Sequence, residues 1–435
     1  MNWDGRQSVF DSQGNYMSDK DAAKNTEYVW TIIEQAMKLS NEKSATIPAQ
    51  KSLYNYFQEQ VVEMFPSQDA EARKQQQTIL QMAEMWGAFV GSPIQRQSLK
   101  FFWLEECIDG ENLFVASTYD KVLKKIAEPA LKDATMLFEH KVKRIVSGEE
   151  KDTSVTVELE GRQSMTFDEV IMTAPLGWLK RNLDAFVPAL PKRLTEAVGS
   201  LGYGHLDKVY ITFPTAFWDE PTTNDPASPC ASRDLSKPNV TATTAPVHQA
   251  TGSLVNPAHY PGFTHWTYPI YASETNPEAW NQETVNLAAL PEGTAHPTLL
   301  FYTFGPTSLH IAKLLATNPS EKHNSLLTSF FLPYYSKLPN YKKESSDCVP
   351  QAILATAWAN DELAGYGSYC NFQTGLEKGD EDVEMLRKGM PERGVWLAGE
   401  HCAPFVALGT VTGAYWSGEG VAKRVLKVYG LGGNE

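Results

Sequence analysis

The run Gly394–Val421, GVWLAGEHCAPFVALGTVTGAYWSGEGV, constrains this chain more than any other. Val395–Ala398 is a short apolar stretch that reads as a buried strand, halted by Gly399 and followed at once by Glu400. A loop then leads to a helix start with two small residues, Gly413 and Ala414, in its first turn. Strand, Gly-Glu, loop and small-residue helix start make a place where a ligand can lie against backbone N–H groups.

The first hundred residues read as helical. Ser18 and Asp21 form a capping-box pattern, with Tyr28, Ile32, Ala36 and Leu39 at helical spacing behind it. A second helix starts near Ser52, buries Leu53, Tyr56, Phe57, Val61 and Met64 on one face, and ends before Pro66. A third runs from about Ala70 to Val90 and stops at Gly91. Ser117–Ala127 then gives a short helix with Val122, Leu123 and Ile126 turned inward. Thr135–Gly148 and Thr153–Gly161 alternate with period two and predict paired strands. Asp168–Lys180 predicts a buried strand ending at Pro175. His205–Phe213 and Thr298–Gly305 predict two further strands, and a helix follows from about Asn324 to Lys337. Pro221–Pro261, rich in Pro, Thr, Ser, Ala and Asn, has no periodicity and reads as a surface insertion. The acidic run Gly379–Glu384 reads as a solvated loop. These boundaries predict a helical part over 1–100, a cofactor-side segment over 101–180, a substrate-side part over 181–355 and a C-terminal cofactor segment over 356–435.

A net charge of −14 speaks against nucleic acid or an anionic membrane as partner and is compatible with a cationic substrate. No apolar run approaches the ~20 residues of a membrane helix. Five scattered cysteines without a C-x-x-C pair suit a reduced, intracellular and cytoplasmic protein, and the C-terminus is no S-K-L type peroxisomal address. The nine histidines form no H-E-x-x-H or His-x-His, so no metal is expected. G-x-S-x-G is absent too.

Several runs accompany the C-terminal segment: HKVKRI from His140, TAPLGWLK from Thr173, DKVYITFP from Asp207, ATAWAND from Ala355 and GYGSYCNF from Gly365. Together with AGEH and GTVTGA they resemble the FAD-dependent amine oxidase family, which holds polyamine oxidases, monoamine oxidases and lysine-specific histone demethylases. The polyamine-oxidase branch is the most similar. The resemblance covers most of the chain outside the insertion. It implies a mixed α/β, two-domain fold. The family also carries a Gly-rich dinucleotide fingerprint, and this chain has no G-x-G-x-x-G: GLGG at Gly430 and GSLGYG at Gly199 have the wrong context or spacing. The expectation is therefore an N-terminally truncated version lacking the Gly-rich βαβ unit.

The resemblance also implies roles. Gly399 and Glu400 match the pair whose carboxylate contacts the ribityl–phosphate region of FAD, and Thr410 and Val411 match the turn against the flavin ring. Gly413 and Ala414 open the helix that faces it. Val142 matches a backbone contact to adenine. Thr173, Ala174 and Pro175 match a strand end near the ribose, and Trp358 matches a tryptophan packed on the flavin. Lys208 is the candidate catalytic residue, matching a lysine that holds a water against the reactive nitrogen. Tyr369 matches one aromatic wall of a substrate cage. Thr410 stands at the other wall, where several members have an aromatic, so the cage is half open. Ser368 stands where monoamine oxidases have a flavin-tethering cysteine, so FAD is expected to be non-covalent. The implied function is oxidation of an amine, a polyamine above all, with O2 as acceptor. The alternatives are a truncated product that cannot hold FAD, and a demethylase of the same chemistry.

Overall fold

A computed structural model describes residues 7–67, 69–106, 108, 115, 118–148, 154–219, 260–291 and 293–431. Most of the insertion, Cys107 and the start of the Ser117 helix lie outside them.

Six strands form the largest sheet, in the order Gln7–Phe10, Phe263–Trp266, Gln282–Asn286, Thr298–Phe304, Leu206–Thr212 and Ala352–Ala355. The first pair is parallel and the others are antiparallel. Period-two alternation in Leu206–Thr212 sends Val209 and Ile211 to one face, where they bury with Phe213, Leu299 and Phe301 under the helices Gly305–Thr317 and His323–Tyr335. Lys208, Tyr210 and Thr212 take the other face, beside Leu300 and Tyr302.

The helical part packs Ile32, Ala36, Phe57, Val61, Ile79 and Met82 into a core of its own. Ser18 caps Asp19–Lys43 by accepting from the Asp21 N–H, and Ser52 closes a capping box with Asn55 at the start of Leu53–Met64. The third predicted helix is continuous only to Ala83. A 3-10 turn, Glu84–Trp86, then leads into Gly87–Val90 and a left-handed Gly91.

A second core joins the predicted hairpin, Val142–Val146 against Val155–Leu159, to the parallel pair Val170–Met172 and Val395–Leu397. Three expectations fail here. The helix Asp120–Leu131 turns Val122, Leu123 and Ile126 outward, at 38, 63 and 46% exposure, because no described element packs against that stripe. The Val170–Met172 strand is half-buried and short, since the chain turns into the helix Leu176–Arg181 directly after Pro175. The acidic run is the first part of the helix Gly379–Lys388, not a solvated loop. Its acids sit at the helix's positive end, and Asp382 is buried, pairing with Arg193 at 2.5 Å and accepting from Ser200 at 2.5 Å.

Candidate active site

The carboxyl ends of the parallel strands Val170–Met172 and Val395–Leu397 open side by side. Leu397 pairs with Met172, and the Ala398 N–H donates to Met172 O at 3.0 Å. Ligands of α/β sheets bind outside such strand ends. Thr173, Ala174 and Pro175 follow one strand, and Gly399 and Glu400 follow the other. Gly399 has φ +145° and ψ −180°, a region essentially restricted to glycine, and a Cβ there would meet the His401 ring at 2.9 Å. Its N–H donates to Ser417 Oγ at 3.1 Å and ties the strand end to the C-terminal helix.

Glu400 Oε1 accepts from the Cys370 N–H at 3.1 Å. Its Oε2 is enclosed and has no hydrogen-bond partner among the described residues. An enclosed carboxylate oxygen without a donor is costly, and a hydroxyl of a bound ligand would satisfy it. A flavin nucleotide carries such hydroxyls, so the donor set fits that group.

Thr410 caps the helix Val411–Val428. Its Oγ1 accepts from the Gly413 N–H at 2.9 Å and donates to Ala407 O at 2.7 Å. The hydroxyl is thus turned into the cap. A Cβ at Gly413 would lie 1.9 Å from Ala407 O, so only glycine lets this helix start press onto the preceding turn. Val411 is exposed beside it, and Ala414 is partly buried.

Lys208 is half-buried, and burial lowers its pKa from the ordinary lysine value. Its ammonium stands 5.4 Å from the centre of the Tyr302 ring. Next to it is a residue that sequence reasoning missed. Asp207, on the opposite face and fully buried, accepts from Ser308 Oγ at 2.6 Å, Thr356 Oγ1 at 2.7 Å and the Trp358 N–H at 3.0 Å. Thr356 also receives the Lys208 N–H at 2.9 Å. Asp207 therefore fixes the Trp358 turn against the Lys208 strand, leaving the Trp358 side chain 42% exposed. A carboxylate within an apolar row, Asp207–Val209–Ile211–Phe213, was the available signal.

Tyr369 lies against Gly409, next to Thr410, and its hydroxyl donates to Phe89 O. Its backbone O accepts from the Gly204 N–H at 2.7 Å, and Ser368 Oγ accepts from the Leu206 N–H at 3.2 Å, so the Tyr369 segment is fastened to the lead-in of the Lys208 strand. Burial raises the Tyr369 hydroxyl above its ordinary pKa, and Glu105, Glu400 and Tyr302 add to the effect. Glu105 was also missed. Burial lifts its carboxyl from 4.5 to about 7, against hydrogen bonds from Gln97 and Phe372 that lower it. The Cys370 thiol is buried and pushed well up by that burial.

Glu400 and Gly409 thus meet the Tyr369 segment directly; Thr173–Pro175 follow the strand paired with the one before Glu400, and Lys208 and Trp358 are tied in through the Leu206–Ser368 and Asp207–Trp358 hydrogen bonds. Val142 stands apart on a different sheet and shares a core with Ala174 and Leu397. Residues 34–426 match the model of the flavin containing amine oxidoreductases. The chain belongs to that family. Among relatives, 212 residues are 29% identical to "Probable polyamine oxidase 4" of Arabidopsis thaliana, covering 48% of this chain and 40% of that one. A segment of 111 residues is 38% identical to lysine-specific histone demethylase 1 homolog 2 of Oryza sativa subsp. japonica, covering 26% and 14%. The chain spans less than half the length of these curated relatives. The fold is similar to that of cyclohexylamine oxidase from Brevibacterium oxydans, with a TM-score of 0.61 at 16% identity over 98% of this chain and 81% of that one. A putrescine oxidase mutant superposes with a TM-score of 0.59 at 15% identity, over 97% and 81%. The expected mixed α/β amine-oxidase fold agrees with these likenesses. No described helix is long and apolar enough to cross a membrane.

Proposed function

We propose that this chain binds FAD non-covalently and oxidises a polyamine or related amine. The observation that carries the reading is that Ser368–Cys370 ties together the lead-in of the strand bearing a half-buried lysine, a tyrosine ring and a carboxylate with one oxygen that no described residue satisfies. Bound flavin supplies a two-electron acceptor for the carbon beside the amine, giving an imine that hydrolyses to aldehyde and amine, and O2 takes the electrons as hydrogen peroxide. Glu400 would hold a cofactor hydroxyl through Oε2. The positive end of the helix that starts at Thr410–Ala414 would favour the reduced, electron-rich cofactor. Thr173, Ala174, Pro175 and Trp358 would complete its binding surface.

Lys208 does the proton work. Its lowered pKa leaves a larger neutral fraction at a given pH than an ordinary lysine has, so it can pass a proton to and from a water held at its Nζ. Tyr369 offers a π-face to the substrate amine and excludes water.

The test is to incubate the purified chain with FAD, desalt it and record the visible spectrum before and after anaerobic spermidine. A retained spectrum that bleaches with spermidine, and recovers in air at least ~10-fold more slowly in Lys208→Met, supports the reading. A colourless protein would separate the family's chemistry from this chain. Bleaching by a methylated-lysine peptide and not by spermidine would move the substrate to the demethylase side.

A further inference from the structure

One arginine grips the chain where it leaves Glu400. Arg387 lies in the last turn of the helix Gly379–Lys388 and is half-buried. Its Nε donates to Cys402 O at 3.1 Å, and a terminal nitrogen donates to Ala403 O at 2.5 Å. The guanidinium stands 5.1 Å from the centre of the Phe405 ring, which packs edge-on against Trp103 at 5.4 Å. One planar cation thus engages two consecutive carbonyls and the ring two residues further on. The end of its helix is held in turn, because Arg424 of the C-terminal helix donates to the Arg387 and Lys388 carbonyls. The contacts close a circuit. It runs from the C-terminal helix to the helix of Arg387, across to the Cys402–Phe405 loop, and along that loop to Thr410, the cap of the C-terminal helix.

Hydrogen bonds from a charged donor are about twice as strong as neutral ones, and they strengthen further where water is thin. Burial, which lowers the Arg387 pKa against Cys402 and Glu384, puts these bonds in such a place. Two neighbours on the chain show what the grip fixes. Upstream, the Gly399 N–H is tied to Ser417 Oγ, so Glu400 is held between that bond and the Arg387 fork. Downstream, Ala403 is fully buried where a Cβ at Gly413 would meet its own at 2.8 Å. The carbonyl that Arg387 holds therefore belongs to a residue on which the C-terminal helix start rests. A lysine has neither the fork nor the flat face to hold two carbonyls and a ring at once. We propose that Arg387 is a positioning residue of the cofactor site, aiming Glu400 and seating the Thr410–Ala414 helix start through Cys402 O, Ala403 O and the Phe405 ring. The inference rests on the flavin reading above.

It is tested by titrating FAD into the purified full chain and following the quenching of flavin fluorescence. Arg387→Ala is expected to raise the dissociation constant at least ~10-fold, since charge-assisted bonds are lost from the turn that bears Glu400. Arg387→Lys keeps the charge and the aliphatic stem but not the fork, and is expected to show most of that loss. It carries the test should the alanine variant fail to fold. Arg393→Ala is the control. Arg393 also donates to two carbonyls, Pro188 O at 3.2 Å and Ala189 O at 3.0 Å, but at the end of the Val395–Leu397 strand remote from Glu400. Its loss is expected to leave FAD affinity close to wild type. Methylguanidinium, and not methylammonium, should recover part of the affinity of Arg387→Ala, a distinction that a general loss of packing would not make. Unchanged affinity in both Arg387 variants, a loss that Arg393→Ala matches, or no preference between the two cations overturns the assignment while the flavin reading stands. A wild type that binds no FAD removes both.

Discussion

Asp207 shows how much of this site rests on one buried side chain. Its two oxygens accept from two hydroxyls and one N–H, drawn from the helix Gly305–Thr317 and from the turn at Thr356–Trp358. Asp207→Ala leaves those donors unpaired in the interior and is expected to cost about 3 kcal/mol in urea unfolding. Asp207→Asn keeps one carbonyl acceptor, and the Ser308 hydroxyl can rotate to accept from the new amide, so its loss should be clearly smaller. Equal losses for the two variants would mean that the carboxylate's charge, not its acceptor geometry, holds the turn. At Gly399 the backbone itself is the constraint. Gly399→Ala meets both a forbidden conformation and the His401 ring, and about 2 kcal/mol of destabilisation should accompany weaker FAD retention on desalting.

At the scale of elements, the decisive contact is the C-terminal helix start against the turn before it. A methyl at position 413 would lie 1.9 Å from Ala407 O, so Gly413→Ala must push the helix away from the Glu400 side. Its expected cost is about 2–3 kcal/mol by thermal unfolding, with loss of the flavin spectrum. The 3-10 turn Phe102–Glu105 carries the pH dependence of its neighbourhood. Burial raises the Glu105 carboxyl from 4.5 to about 7. Between those two values the folded protein holds a proton that the unfolded chain has released, so stability falls as pH rises through this window and levels off above it. Glu105→Gln should flatten that part of the melting-temperature profile. Above the window it should be more stable than wild type, by on the order of 2–3 kcal/mol. Parallel profiles for the two proteins would place the carboxyl in a solvated setting instead.

For the whole molecule, any ligand that binds only the folded state raises its stability by mass action. FAD at a hundred times its dissociation constant should add about 2.7 kcal/mol. Differential scanning fluorimetry over a range of FAD concentrations should therefore show a melting temperature that climbs steadily. A flat response would mean that the enclosed Glu400 oxygen is not satisfied by this cofactor. The core around Leu397 and Cys370 and the helical core are distinct apolar clusters, and the Tyr369 segment joins the first to the Gly87–Val90 turn. Ligand binding should accordingly protect the amides of both Ser368–Cys370 and Leu206–Lys208 from hydrogen exchange.

The sequence alone determined what acts over a few residues. Ser18 and Ser52 announced helix starts because a cap is a three-residue interaction. The alternation in His205–Phe213 put Lys208 and Tyr210 on one face because the strand period is two. The Val395–Glu400 strand end and the helix behind it were legible because their residues are contiguous. The stripe Val122–Leu123–Ile126 misled because periodicity says which residues share a face and not what lies opposite that face. Only the tertiary structure decided the rest: that Asp207 reaches a turn 151 residues away, that Glu400 meets the N–H after Tyr369, and that His265, Glu283, Tyr302 and Lys208 fall in one row. Such juxtapositions follow from strand register, and a slip of one residue would send each side chain to the opposite face. Register is set by the burial of whole faces, a property of the packed sheet that no local spacing contains.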